Sequence, residues 1–104
     1  MSEHEFLTAF TDVVNGTAGM ETLMELIYDA VDDVVYSINP SGTFTLEKLL
    51  RFSNPVLLNY VNTLKWNKRA AIEEEFRSSV FMGRFTPLRP KYANKGVNYY
   101  FFDN

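Results

Sequence analysis

The side chains that most often carry out catalysis are scarce in this chain of 104 residues. It has no cysteine and a single histidine, His4, in the first turn of a predicted helix, where we expect a solvated side chain. No serine lies in a nucleophile-elbow sequence, and Gly16 and Gly19 lack the further glycines and the lysine of a phosphate-binding loop. We therefore predict a protein that is not an enzyme and that holds no cofactor.

Charge is distributed unevenly along the chain. Residues 1–44 contain eight acidic residues and no lysine or arginine, whereas residues 45–104 contain all ten lysines and arginines and five acids. The two halves therefore carry −8 and +5, although the whole chain carries −3. An acidic and a basic half either pack against each other or face partners of opposite charge. A basic half that faces outward suits a polyanion such as nucleic acid.

Five acids of the first half share one face of a predicted helix, and they are Glu21, Glu25, Asp29, Asp32 and Asp33. Acids four apart repel, and each such pair destabilises an isolated helix by about 0.2–0.5 kcal/mol. A basic surface opposite this acidic stripe offsets the repulsion, and the chain's own second half, a second copy or another protein can supply it. We therefore predict a protein-binding face and no metal site, because carboxylates on one helix face do not wrap a cation.

The second half has polar side chains suited to nucleic acid. Asn59 and Asn62, exposed on one predicted helix, have amides that match the edge of an adenine base. Four cations and no acid follow between residues 83 and 96, where they can hold phosphates while Tyr92 packs on a sugar or base. The predicted nucleic-acid-binding residues are Asn54, Asn59, Asn62, Thr63, Lys65, Arg84, Arg89, Lys91, Tyr92 and Lys95. The alternative is that the asparagines are ordinary exposed residues and that the hairpin docks on a protein.

The acidic half is predicted to fold as two helices. Ser2 begins a capping-box pattern, and apolar residues at helical spacing predict a helix over about 3–14. A second helix over about 20–37 has an apolar arc that Met24, Tyr28 and Val35 widen. Because the first helix covers only part of this arc, we predict a homodimer through the N-terminal helices. A turn is expected at residues 39–42.

The basic half is predicted to contain three more helical segments and a hairpin. Its helices are expected over residues 45–51, 54–65 and 68–79. Residues 80–86 and 97–102 are rich in aromatic and β-branched residues and predict two strands, joined by a long basic loop over 87–96. The predicted fold class is therefore α+β and mainly helical. A single domain over 1–104 has four or five helices and a C-terminal antiparallel β-hairpin.

The stretch from Phe44 to Leu64, with the sequence FTLEKLLRFSNPVLLNYVNTL, is followed by the basic strand pair. Over residues 43–104 the chain resembles a winged helix-turn-helix, which has a short helix, a tight turn, a second helix and a strand pair with a basic wing. The resemblance implies that residues 54–65 form a recognition helix and that residues 84–96 form the wing.

These observations predict a small non-enzymatic regulator that binds nucleic acid, most simply DNA, through the helix-turn-helix-like segment and the basic hairpin. The alternative is a protein-binding adaptor, an inhibitor, or a subunit of a viral or cellular assembly that acts through the acidic stripe and the hairpin. The chain has no cysteine and no apolar run longer than four residues. We therefore expect a reducing, cytoplasmic location and no membrane span.

Overall fold

Five helices and a three-stranded antiparallel sheet form the fold, in a computed structural model that describes residues 1–37 and 41–103. The helices are α1 (Glu3–Val14), α2 (Met20–Ser37), α3 (Leu46–Ser53), α4 (Pro55–Asn62) and α5 (Trp66–Phe81). The strands are β1 (Thr43–Phe44), β2 (Leu88–Asn94) and β3 (Val97–Phe102). This confirms the predicted α+β class, mainly helical with a C-terminal hairpin.

Side-chain caps determine where three of the helices begin. Ser2 and Thr45 each accept a hydrogen bond at 3.1 Å from the amide three residues later, at the start of α1 and α3. Asn54 caps α4 in the same way through its Oδ1 atom at 3.1 Å, and Pro55 occupies the first turn. Asn54, which the sequence places among the nucleic-acid-binding residues, therefore has its side-chain oxygen engaged in a helix cap.

The N-terminal helices have the bounds that the sequence predicts. The predicted turn at 39–42 lies partly outside the described residues, but Gly42 is described and has a φ of 105°, which favours glycine. The sequence does not predict β1, which follows this glycine directly. Within residues 1–37 and 41–103, no helix is long and apolar enough to cross a membrane.

The apolar arc of α2 is buried inside a single chain. Ile27 is fully buried, and Met24 and Val35, which widen the arc, are nearly so. Both α1 and α3 pack against this helix. The Tyr28 hydroxyl lies 2.7 Å from the Ser79 hydroxyl on α5. The feature that predicts a homodimer is thus covered within one chain, and the dimer stays a prediction.

The sheet has the strand order β1–β3–β2, so that β3 is central and β2 lies at an edge. Thr43 pairs with Phe101, and Phe44 pairs with Tyr100. The inner face buries Phe44 and Tyr100 in the core. Phe76 of α5 meets Tyr100 edge to face, with ring centroids 5.2 Å apart. These contacts fix the hairpin against the helix that directly precedes it.

The first strand of the hairpin lies later in the chain than predicted. Residues 80–86 form the end of α5 and the turn after it, in which Gly83 has a φ of 88°. The strand predicted over 80–86 and the long loop predicted over 87–96 are therefore wrong, since β2 occupies most of that loop. Pro90 fits in β2 because an edge strand leaves one side unpaired, and the register shifts just after it.

The hairpin closes through a two-residue turn at Lys95 and Gly96. Their φ angles are 53° and 78°. A type I′ turn requires positive φ at both central residues, and its twist matches that of the flanking strands. The basic end of the hairpin is consequently a tight turn rather than an extended loop.

Candidate nucleic-acid interface

The end of the connection between α4 and α5 and the first turn of α5 are basic and carry an exposed tryptophan. Thr63 follows the last residue of α4, and Lys65 precedes the first residue of α5. The Trp66 side chain is 76% exposed. No acidic residue occurs between residues 52 and 72. We define the basic corner as four exposed residues, Lys65, Trp66, Lys68 and Arg69.

A groove of about 680 Å³ separates the basic corner from the hairpin. Trp66 and Arg69 line it on the side of the helices, and Gly96 and Val97 line it on the side of the hairpin. Segments that lie far apart in the sequence therefore meet at one site. A groove of this volume accommodates a group as large as a nucleobase.

The groove also contains a half-buried carboxylate, Glu73, on the turn of α5 that follows the basic corner. Its Oε2 atom is buried and has no hydrogen-bond partner among residues 1–37 and 41–103. Burial raises the pKa of the Glu73 carboxyl above its ordinary value, the Asn98 side chain opposes this shift, and the charge of Glu47 adds to it. Glu47 and Glu74 line the groove as well, so that its helical side carries three acidic residues beside Arg69 and Arg77.

The predicted recognition helix over 54–65 is shorter in the structure, because α4 ends at Asn62. Asn59 and Asn62 are exposed, as predicted, and Asn62 lines the groove while Asn59 does not. The Thr63 hydroxyl donates to the carbonyl of Tyr60 at 2.6 Å. Lys65 lies outside α4 and belongs to the basic corner. Asn62 therefore lines the groove together with Trp66 and Arg69 of the basic corner, whereas Asn59 lies apart.

The four cations of the predicted wing do not form one cluster, and Arg84 lies apart from the hairpin turn. Its guanidinium donates two hydrogen bonds to the Asp32 carboxylate, both at 3.1 Å. It also lies 4.8 Å from the centroid of the Phe85 ring. The hydrogen bonds to Asp32 raise the pKa of Arg84. Arg84 thus connects the segment before β2 to α2 and lies outside the hairpin, and its contact with nucleic acid stays a prediction.

The other predicted wing residues belong to β2 and the hairpin turn. Arg89 donates through Nε to Asp103 at 3.0 Å, and Lys91 donates through Nζ to the Thr43 hydroxyl at 3.1 Å. The Tyr92 ring stacks on the ring of Tyr99. Lys95 is exposed in the turn. Of the four cations, Lys95 is therefore the one beside the groove.

The acidic stripe lies on the outer side of α2, as the sequence predicts. Glu21, Glu25 and Asp33 are exposed, whereas Asp29 and Asp32 are half-buried. Within the described part of the chain, Asp32 is the only member of the stripe that forms a salt bridge. The basic half thus neutralises the stripe at one position. The described residues contain no group of three or more histidine, aspartate or glutamate side chains placed to hold a metal ion.

No family model, curated protein or solved structure matches this chain. The residues of the site are therefore the basis for its interpretation. Sequence reasoning missed Trp66, Lys68 and Arg69 as candidate site residues. The signal that could have found them is an aromatic residue with three cations within the five residues 65–69.

Proposed function

We propose that this protein is a small non-enzymatic regulator that binds nucleic acid at the basic corner and at the hairpin turn that faces it. The observation that carries the proposal is the position of the exposed Trp66 and its neighbouring cations across one groove from the Lys95–Gly96 turn. Exposed lysine and arginine side chains hold phosphates. An exposed indole gives a base a flat apolar surface on which to stack.

The order of the elements supports the winged helix-turn-helix resemblance as part of this proposal. The helices α3, α4 and α5 lie between β1 and the hairpin, and β3 pairs with both other strands. In helix-turn-helix proteins one helix enters the major groove and contacts the bases. We assign the contact with nucleic acid to the basic corner rather than to the whole of residues 54–65, because the cations begin only after α4 ends.

The proposal is tested by reversing the charge of the basic corner. The double variant Lys65→Glu with Lys68→Glu is expected to weaken binding of a labelled oligonucleotide by at least about tenfold, because two phosphate contacts become repulsive. The matched control is Lys48→Glu with Arg51→Glu, which makes the same change in net charge on α3. Fluorescence anisotropy measures both affinities, and circular dichroism checks the folding of both variants.

The two outcomes that contradict the proposal are distinct. An unchanged affinity in the first double variant excludes the basic corner from the interface. An equal loss in both double variants shows that binding depends on net charge alone and that the basic corner has no special role.

A protein partner at the acidic stripe is the second candidate function, and the exposure of Glu21, Glu25 and Asp33 favours it. Such a partner is basic, and the chain then acts as an adaptor, an inhibitor or an assembly subunit. A lysine-rich peptide serves as the probe. Its binding, measured by calorimetry at low salt, is expected to weaken in Glu21→Gln with Glu25→Gln. Absence of binding to the unmodified protein excludes this candidate.

A further inference from the structure

The outer face of the sheet, opposite the face that packs on α5, carries aromatic side chains that the core does not use. Successive residues of a strand point to opposite sides, so that Tyr99 and Phe101 point outward where Tyr100 points into the core. Tyr99, Phe101 and Phe102 are all half-buried, and of these three Phe102 alone packs against the core. Tyr92 pairs with Tyr99 across the hairpin and is 51% exposed. We define Tyr92, Tyr99 and Phe101 as the aromatic platform.

The rings of the aromatic platform are arranged to receive further flat groups. Tyr92 and Tyr99 stack on each other with centroids 4.8 Å apart and an angle of 20° between the rings. Phe101 lies on the same face, two residues farther along β3. Tyr92 is the exposed ring of this stacked pair, so that a flat group of a ligand can reach it.

Cations border these rings. Arg89 pairs with Phe101 in the sheet and lies on the same face. The Lys91 side chain reaches from β2 across β3 to Thr43 on β1. The two edge strands, β1 and β2, are about 9–10 Å apart. Its ammonium group therefore lies at the outer face. With Lys95 in the turn, this region has three cations and one carboxylate, Asp103, and it attracts a polyanion.

We propose that the aromatic platform binds single-stranded nucleic acid by stacking unpaired bases, while Lys91 and Lys95 contact the phosphates. This inference rests on the proposed function and specifies its ligand. Bases in a duplex have both surfaces covered by their neighbours, so that only unpaired bases can stack on protein side chains. Rings on the outer face of a sheet, with Tyr92 exposed and lysine and arginine beside them, match that ligand in shape and in charge.

The aromatic platform and the basic corner are close enough to contact one strand. Val97 lies on the outer face of β3, two residues before Tyr99, and it also lines the groove beside Trp66. The hairpin turn thus joins the two surfaces. A single strand that stacks on the aromatic platform can pass over the turn to the indole of Trp66 without leaving the protein.

The test compares a labelled oligothymidine of about 12 nucleotides with a duplex of the same length. Tyr99→Ala and Phe101→Ala are each expected to weaken binding of the single strand by at least about fivefold, with little change for the duplex. Tyr99→Phe retains the ring and is expected to retain binding. The matched control is Tyr36→Ala, which removes a tyrosine that is 70% exposed on α2, far from the aromatic platform in sequence.

Photocrosslinking of the unmodified protein gives a result that does not depend on whether a variant folds. Oligothymidine that contains 5-iodouracil is expected to crosslink to peptides from β2 or β3. Crosslinks confined to Trp66, together with unchanged affinity of the alanine variants, overturn the aromatic platform and leave the basic corner intact. An equal loss of single-strand and duplex binding overturns the preference for single strands. Absence of binding to either oligonucleotide overturns both proposals.

Discussion

The two faces of the sheet consist of the same strands and similar aromatic residues, yet their surroundings are opposite. On the inner face, Phe44 meets Phe102 edge to face at 5.3 Å, and Tyr100 is fully buried against Phe76. On the outer face, Tyr92 and Tyr99 stack nearly parallel, with Tyr92 exposed and Tyr99 half-buried. The inner rings are fixed by the core, whereas the outer rings are fixed by each other.

This difference separates the residues that folding requires from those that it does not. An antiparallel sheet with one solvated face normally alternates apolar and polar residues. The central strand β3 instead has aromatic residues at four consecutive positions, 99–102. Contact with the core accounts for Tyr100 and Phe102, whereas Tyr99 and Phe101 are half-buried on the outer face. The outer rings are therefore the part of this strand that packing in the core does not explain.

The largest expected effect is the difference in the free energy of unfolding between alanine variants on the inner face and on the outer face of the sheet. Tyr100→Ala removes a buried ring and is expected to lower the free energy of unfolding by about 3–5 kcal/mol. Tyr99→Ala removes an outer ring, and its expected loss is below about 1 kcal/mol. Urea denaturation followed by circular dichroism measures both. Similar losses in the two variants contradict the distinction between the faces.

A smaller effect concerns the carboxylate next to the inner face. Burial raises the pKa of Glu73, so that the pKa is higher in the folded than in the unfolded protein. The protonated carboxyl therefore stabilises the fold relative to the carboxylate, and this contribution is complete only below the unfolded-state pKa. That contribution is lost as the pH rises through the folded pKa. Glu73→Gln avoids this loss and is expected to stabilise the protein at pH 7 by about 1 kcal/mol or less, with a smaller gain near pH 4. Thermal melts at both pH values check this, and a gain that is larger at the acidic pH contradicts it.

The smallest expected effect concerns Arg84 and Lys91, two cations that the sequence places in one wing and that differ in their contacts. Arg84 pairs with Asp32, while Lys91 lies at the outer face. A double-mutant cycle with Arg84→Ala and Asp32→Ala is expected to give a coupling of about 0.5 kcal/mol, because both side chains are partly exposed. Arg84→Ala should leave oligonucleotide affinity unchanged. Lys91→Ala should weaken affinity with little change in stability, and the reverse pattern would restore Arg84 to the interface.

The helices were predictable from the sequence because their signals are local. The cap at Ser2 and the apolar periodicity of residues 20–37 are sufficient to predict the bounds of α1 and α2. The first strand of the hairpin was not predictable in the same way. Pro87 just before β2 and Pro90 within it indicate a loop. A proline is acceptable within β2 only because this strand lies at an edge of the sheet.

The candidate site was less predictable than the fold because it depends on contacts between distant segments. The charge of Arg84 marks it as a phosphate ligand in the sequence, but the folded chain places it beside Asp32, 52 residues away. The basic corner and the hairpin turn meet only across the groove. Which residues of β3 face the core depends on its register with β1 and β2, and this register is set by pairing between distant segments.

The most direct test of the central claim, that the basic corner and the hairpin bind nucleic acid, is the dependence of affinity on salt. Trp66 is the only tryptophan of the chain, so quenching of its fluorescence by oligothymidine reports binding at the basic corner itself. We expect quenching and a linear plot of log affinity against log salt, with a slope of about −3 to −4, since each of the five proposed phosphate contacts (Lys65, Lys68, Arg69, Lys91 and Lys95) contributes about −0.7 on a single strand. Unquenched Trp66 fluorescence, or an affinity that does not change with salt, would contradict it.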